Sequence, residues 1–265
     1  MTRYSCIRCQ GRKIYSIRRE KKRCKNCGYE WTPRFTKLRL KKSQWRKILF
    51  WFLLGHSQET ICLQTKISHY SVEKALTIIR KIMTKDVPGI FSGTVEVDET
   101  YLGGQKKNKR KSQLKKEPES KRGWGTTKQP VFGILTRRGK VFARLVDATE
   151  AKDLLPIITR KVKAGSSVCS DTWRAYTGLA AKGYVHRTVE HGKKEYVQKD
   201  NRKNHINGLE GFWGYLKRKL AAKGGVRQAY LSLFLGEYVW RYNYRSLTIA
   251  KQEERLLKKL AGFSG

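Results

Sequence analysis

Residues 94–98 decide the fold; they read Thr-Val-Glu-Val-Asp, in which three residues are β-branched and the two valines alternate with the acids. This alternation is typical of a β-strand with one buried face. A second stretch, Ser167-Val-Cys-Ser170, predicts another short strand and is followed directly by Asp171. We expect the first strand to end at Asp98 and the second at Asp171. If the two strands are neighbours in a mixed sheet, their carboxylates come together.

The surrounding sequence predicts further strands and helices of the same domain. Strands are predicted at 130–136 and 140–146, and they form a hairpin that turns at Arg138-Gly139. A fifth strand is predicted at 184–189. Three helices are predicted: 153–163, 173–180 and 204–222. Hairpin and crossover connections together indicate an α/β class domain, a mixed α+β sheet with helices packed on it.

A third acid lies on the predicted helix 204–222. Four of its residues recur every three or four positions and share one face: Asn207, Glu210, Trp213 (or Gly214) and Lys217. If Glu210 joins the two strand acids, three carboxylates repel one another unless a divalent cation is present. Oxygen ligands suit Mg²⁺ or Mn²⁺, and two such ions support in-line phosphoryl transfer.

The alternative interpretation of these acids is structural. Acids at strand ends often cap helices, and a single glutamate on a helix is usually solvated. Glu99 is the nearest rival of Asp98, but adjacent residues of a strand face opposite sides, so only one of them enters the site. Glu96 has the same parity as Asp98 but lies deeper in the strand.

Four of the six cysteines form two pairs, Cys6-x-x-Cys9 and Cys24-x-x-Cys27. Two such knuckles complete a tetrahedral site of four thiolates, which predicts one structural Zn²⁺ in a zinc ribbon. Four thiolates leave no open coordination position, so this zinc is expected to fold the segment and not to react. The alternative is that the pairs are free thiols. Cys62 and Cys169 lie outside the pattern and are predicted to be core thiols.

The chain carries 59 lysines and arginines against 21 acids, a net charge of +38 in 265 residues. Such an excess favours a polyanionic partner; nucleic acid is preferred and an anionic membrane surface is the alternative. Residues 1–42 alone have 15 basic residues against two glutamates, and residues 105–122 have nine against two. The first segment predicts a DNA-contacting module and the second a basic loop insertion, whereas solvated basic surface is the alternative for the first.

Residues 43–88 have helical periodicity. Ser43 and Ser57 are plausible N-caps, and a break at 66–70 precedes a basic helix predicted at 72–85. A short helix, a tight break and a basic helix resemble a helix-turn-helix, although a helical scaffold has the same pattern. The longest apolar run, 48–54, has about seven residues where a membrane span needs about 20, so no membrane-spanning segment is expected, and nucleic acid rather than a membrane is the expected partner.

Three stretches resemble the signature blocks of bacterial insertion-sequence DDE transposases with an N-terminal zinc ribbon, and are also similar to Merlin-type transposases. They are Val95-Glu-Val-Asp98-Glu-Thr-Tyr-Leu-Gly-Gly104, Cys169-Ser-Asp171-Thr-Trp-Arg-Ala-Tyr176 and His205-Ile-Asn207-Gly-Leu-Glu210-Gly-Phe-Trp213-Gly-Tyr-Leu-Lys217-Arg218. The resemblance implies an RNase H-like catalytic fold. It implies that Asp98, Asp171 and Glu210 are a DDE triad that binds two Mg²⁺ (or Mn²⁺) ions, and that Lys217 is the trailing lysine of a DDEK pattern.

Three domains are therefore expected: a zinc ribbon (1–42), a helix-turn-helix-like DNA-binding unit (43–90) and a catalytic domain (91–265). The expected partners are the terminal inverted repeats and a target duplex, bound by a homodimer or higher oligomer. Residues beside the third acid are expected to contact DNA: His205, Asn207, Arg218 and Lys219. The expected location is the cytoplasm and nucleoid of a bacterium, or the nucleus of a eukaryote. The alternative function is that of a domesticated, inactive transposase that only binds DNA.

Overall fold

The computed structural model describes residues 5–18, 21–31, 36, 38–103, 128–137, 139–189 and 206–261. The predicted insertion 105–122 and His205 lie outside these residues. The chain divides into two compact units, one of residues 1–83 with 246–265 and one of residues 84–245. Residues 246–265, expected in the domain 91–265, thus cluster with the N-terminal unit.

The strands of the described residues are β1 (Ile14–Ser16), β2 (Lys22–Cys24), β3 (Glu30–Trp31), β4 (Thr94–Leu102), β5 (Gln129–Thr136), β6 (Val141–Leu145), β7 (Ser167–Asp171) and β8 (Val185–Val189). The α-helices are α1 (Lys42–Leu53), α2 (Gln58–Thr65), α3 (His69–Lys85), α4 (Ala151–Lys161), α5 (Asn207–Ala221), α6 (Gln228–Asn243) and α7 (Ile249–Ala261).

The second unit is built on a five-stranded sheet with the order β6-β5-β4-β7-β8. β4, β7 and β8 run parallel, whereas β5 is antiparallel to both β4 and β6. The structure therefore confirms the mixed α+β sheet and the RNase H-like class.

Helix α6 of this unit was not predicted, and two predicted elements differ from the structure. β4 does not end at Asp98 but continues to Leu102, because residues 99–102 pair with 129–132 of β5. Residues 173–180 form no α-helix; two short 3-10 turns, Arg174–Tyr176 and Ala180–Lys182, occupy this region.

The sheet of the second unit has a hydrophobic core on each face. On one face Val95 and Val97 pack in a cluster with Leu154 and Ile158 of α4. The other core contains apolar residues of α5 and α6, including Leu209 and Phe212. α5, the helix that carries the third acid, is thus packed against the sheet rather than exposed around its circumference.

In the first unit the cysteine-bearing segment forms a three-stranded antiparallel sheet, β1-β2-β3. Helix α1 begins at Lys42, one residue before the predicted cap Ser43, because the Gln44 side chain accepts a hydrogen bond from the backbone N–H of Lys41 (2.9 Å). Ser57 caps α2 as predicted, since its hydroxyl accepts the Thr60 N–H at 3.1 Å.

The break after α2 is tight, with Lys66 in the left-handed region (φ 55°). α3 then begins at His69, three residues before the predicted start. The C-terminal helix α7, which the sequence analysis did not predict, packs on α1 in this unit, and Glu253 pairs with Arg46 at 3.6 Å. None of the described helices has the length and apolar character needed to cross a membrane.

Candidate active site

Asp98 and Asp171 occupy equivalent positions on neighbouring strands. The parallel ladder of β4 and β7 pairs Thr94 with Ser167 and Glu96 with Cys169. Two residues further along the two strands are Asp98 and Asp171. Because residues in register on parallel strands project to the same face, the two carboxylates lie side by side on one face of the sheet.

Asp98 is largely buried and accepts a hydrogen bond from the indole N–H of Trp213 on α5 at 2.9 Å. Burial raises the pKa of Asp98 to about 7; the Trp213 hydrogen bond acts against this rise, and the negative charges of Asp171 and Glu210 add to it. The three acids are therefore close enough to interact electrostatically. Asp171 also accepts the Trp173 N–H at 3.0 Å, which fixes its carboxylate at the end of β7.

Helix α5 presents the remaining predicted residues. Glu210 lies in its first turn and is exposed, as is Asn207. Lys217 is exposed as a residue, yet partial burial of its ammonium group lowers its pKa, and the charge of Asp98 acts in the opposite direction. Arg218 and Lys219 are exposed in the last turn.

Glu99 projects to the opposite face of β4, where it lies next to the buried Tyr176. Burial, together with the charges of Asp98 and Asp171, raises the pKa of Glu99 to about 8. Its side chain is separated from the Trp213 face by the strand itself, as the alternation of side chains along β4 requires.

Sequence reasoning missed three residues that hold this site together. Glu96 is fully buried and accepts the backbone N–H of Leu209 at 2.8 Å, directly before Glu210. Arg137 forms an ion pair with Glu96 at 3.6 Å. Gly133 lies opposite Asp98 in the β4–β5 ladder, and a Cβ at this position would be 2.6 Å from the Trp213 ring. The sequence shows that Glu96 shares a strand face with Asp98. It does not show that Glu96 accepts a hydrogen bond from Leu209, 113 residues away.

The chemistry of the three acids, rather than a preformed cluster, is what suits them to divalent metal ions. Burial and the charges of Asp171 and Glu210 destabilise the ionised form of Asp98, although the three carboxylates are not drawn together as tightly as the four cysteines, which are the one metal-compatible group among the described residues. A cation removes this penalty, and a set of oxygen ligands is suited to Mg²⁺ or Mn²⁺. Asp98, Asp171 and Glu210 are the residues that would hold such ions.

The N-terminal cysteines form a second site of different chemistry. The four Sγ atoms of Cys6, Cys9, Cys24 and Cys27 all lie within 4.8 Å of one another. The Cys6–Cys27 and Cys9–Cys24 pairs are each 3.5 Å apart, where a tetrahedral Zn²⁺ site with Zn–S bonds of about 2.3 Å requires about 3.8 Å. Gly28 has a φ of 68°, which allows the turn after the second pair. The cluster is compatible with the predicted zinc ribbon.

Comparison with known proteins identifies related sequences. A family model described as the ISXO2-like transposase domain matches residues 90–243. An uncharacterized transposase-like protein of Haemophilus influenzae is 33% identical over 121 residues, which are 46% of this chain and 93% of that protein.

Solved structures with some likeness to the chain include the Mos1 strand transfer complex, which has a TM-score of 0.34 and 13% sequence identity. That comparison covers 88% of this chain and 80% of the Mos1 chain. A pre-cleavage Mos1 transpososome gives a TM-score of 0.25, 11% identity and the same coverage.

The family model spans more than half of the 265 residues, including Asp98, Asp171 and Glu210, and the Haemophilus relative is covered almost completely. The chain therefore belongs to the ISXO2-like transposase family, a family of DDE transposases.

Proposed function

We propose that this transposase binds the terminal inverted repeats of its element, hydrolyses the element ends and joins the freed 3′-OH to target DNA. The observation that carries the proposal is the register of Asp98 and Asp171 on β4 and β7, with the charge of Glu210 acting on Asp98 from helix α5. The same site serves both steps, since cleavage and joining are successive in-line phosphoryl transfers.

In this proposal Asp98, Asp171 and Glu210 bind two divalent cations. Ions held by these residues would supply charge stabilisation for the attacking and leaving oxygens of an in-line displacement. Trp213 holds the Asp98 carboxylate through its indole N–H, so that the oxygen ligands are oriented before DNA binds. Lys217, whose ammonium group interacts with Asp98 electrostatically, is placed to neutralise a phosphate of the bound strand.

DNA is proposed to contact the basic surface around this site and the first unit. Arg218 and Lys219 are exposed in the last turn of α5, and Asn207 is exposed at its start; His205 is proposed to act beside them. The ribbon, with its structural Zn²⁺, and the helices α1–α3 are proposed to hold the terminal repeats. Exposed Tyr70 and Lys74 near the start of α3 support this role, because the start of the second helix of a helix-turn-helix contacts base edges. Two ends must be joined, so a homodimer or higher oligomer is expected on DNA.

The test is incubation of the purified chain with a labelled duplex of the element end, a supercoiled target plasmid and Mg²⁺. A transposase converts the label into plasmid-sized strand-transfer products. Cleavage without joining would indicate an RNase H-like nuclease. Binding of the end duplex without cleavage would indicate an inactive, domesticated DNA-binding protein, which is the alternative function.

A further inference from the structure

Helix α5 begins without a local side-chain cap. Its N-cap residue is Ile206, whose hydrocarbon side chain cannot accept a hydrogen bond. The first four backbone N–H groups of a helix have no partner within the helix and need acceptors from elsewhere. Glu210 lies within this first turn, so whatever satisfies these N–H groups also fixes the position of Glu210.

The Leu209 N–H approaches the Ile206 carbonyl at 3.1 Å, and a second, closer acceptor comes from the sheet. One oxygen of Glu96 on β4 accepts the Leu209 N–H at 2.8 Å, and the backbone N–H of Gly208 also donates to this carboxylate. Gly208 permits the close approach, because a Cβ there would lie 2.9 Å from the Glu96 Oε2 atom. A residue 113 positions away in sequence therefore performs the task that Ser, Thr, Asp or Asn performs at an ordinary N-cap.

Nearby positive groups partly offset the cost of burying Glu96. Glu96 has no exposed surface, and burial raises its pKa, while the two backbone N–H groups and Arg137 act in the opposite direction. Arg137 lies 3.6 Å from the other carboxylate oxygen. The partial positive charge of a helix N-terminus adds to this stabilisation of a negative group.

Glu96 also connects two of the three acids. It lies two residues before Asp98 on the same face of β4, and its partner Leu209 directly precedes Glu210 on α5. We propose that Glu96 is a positioning residue that sets the separation of Asp98 and Glu210 by capping α5, and thereby preorganises the metal site. This inference rests on the proposed function, since it assigns the support of the proposed triad.

The direct test measures amide hydrogen exchange of residues 206–210 in the metal-free protein. Glu96→Ala removes the acceptor, and we expect exchange in this turn to accelerate about fivefold, as for a lost N-cap of average strength. Glu96→Gln retains a carbonyl oxygen and should lose less protection than Glu96→Ala. The matched control is Asp86→Ala, which removes another buried carboxylate that accepts an N–H, the Trp240 indole at 2.9 Å. This control should leave exchange in residues 206–210 unchanged.

The second readout is Mn²⁺ binding measured by calorimetry. Removing a residue that orients metal ligands typically weakens metal affinity about 10- to 100-fold, and we expect this for Glu96→Ala but not for Asp86→Ala. The proposal is overturned if exchange in residues 206–210 is unchanged in folded Glu96 variants, or if their Mn²⁺ affinity equals that of the parent. If Glu210→Gln itself binds Mn²⁺ as tightly as the parent, the proposed triad is wrong. This failure is distinct from a failure of the capping proposal, because the exchange measurement tests the cap without any metal.

Discussion

Replacing Gly133 by alanine tests the packing that places Trp213 over Asp98. Gly133 lies on β5 opposite Asp98, and an added Cβ would be 2.6 and 2.7 Å from two carbons of the Trp213 ring and 3.1 Å from Leu209. Carbon atoms in favourable contact are about 3.5–4.0 Å apart, so the ring has to retreat by about 1 Å. A shift of this size breaks the 2.9 Å hydrogen bond to Asp98.

The expected cost has two parts. Overpacking a filled core typically costs about 1–3 kcal/mol, and a hydrogen bond to a charged group contributes about 1.5–3 kcal/mol. If the Trp213 ring moves away to relieve the overpacking, its hydrogen bond to Asp98 is lost. The two costs therefore do not simply add, and we expect the free energy of unfolding to fall by about 2–4 kcal/mol. For a unit of this size the corresponding fall in Tm is about 5–15 °C.

Urea denaturation followed by tryptophan fluorescence measures this change. The matched control is Gly211→Ala at an exposed position of α5, where a Cβ would have no neighbour within 4 Å. Alanine at a helical glycine with open space should stabilise by about 0.5–1 kcal/mol. Gly133→Ala and Gly211→Ala are therefore expected to have opposite signs.

A double-mutant cycle completes the test. In a Trp213→Ala background the ring is absent, and Gly133→Ala should then cost less than about 1 kcal/mol. The packing argument is refuted if Gly133→Ala is as stable as the parent, or if its cost is the same with and without the Trp213 ring.

Three further predictions concern the first unit. Cys24→Ser should reduce bound zinc from about one ion per chain to near zero by elemental analysis and unfold the ribbon; full zinc retention would contradict the predicted site. Ser57→Ala should lower the free energy of unfolding by about 1 kcal/mol, because α2 loses its N-cap. Thr77→Ala, at a half-exposed position inside α3, is the control and should change stability by less. A chain truncated after Arg245 lacks α7 and exposes the face of α1 that α7 covers, so the first unit should lose far-UV ellipticity and affinity for an element-end duplex; unchanged binding by gel shift would show that α7 is dispensable.

The sequence predicted the elements whose signals are local. Alternation marked the start of β4, the paired cysteines marked the thiolate cluster, and Ser57 marked the start of α2. In each case the residues that determine the structure lie within a few positions of one another. The register that brings Asp98 beside Asp171 was expected because both acids follow short predicted strands.

The remainder depends on partners distant in sequence. β4 extends past Asp98 because residues 129–132 pair with it. Helix α7 has an apolar face with Leu256 and Leu260 buried, but no local signal indicates that it packs in the N-terminal unit. The role of Glu96 is hidden for the same reason, since a buried glutamate inside a strand has no local explanation until the start of α5 is placed against it.

The central claim is that Asp98, Asp171 and Glu210 act together in Mg²⁺-dependent cleavage of the element end. The most direct measurement is the single-turnover cleavage rate of a labelled end duplex by Asp98→Asn, Asp171→Asn and Glu210→Gln. Asp147→Asn is the control, because Asp147 is an exposed acid of the same unit. We predict that each triad variant binds the duplex but cleaves it at least about 1000-fold more slowly, while the control cleaves at the parental rate. Parental cleavage by any of the three triad variants would contradict the assignment.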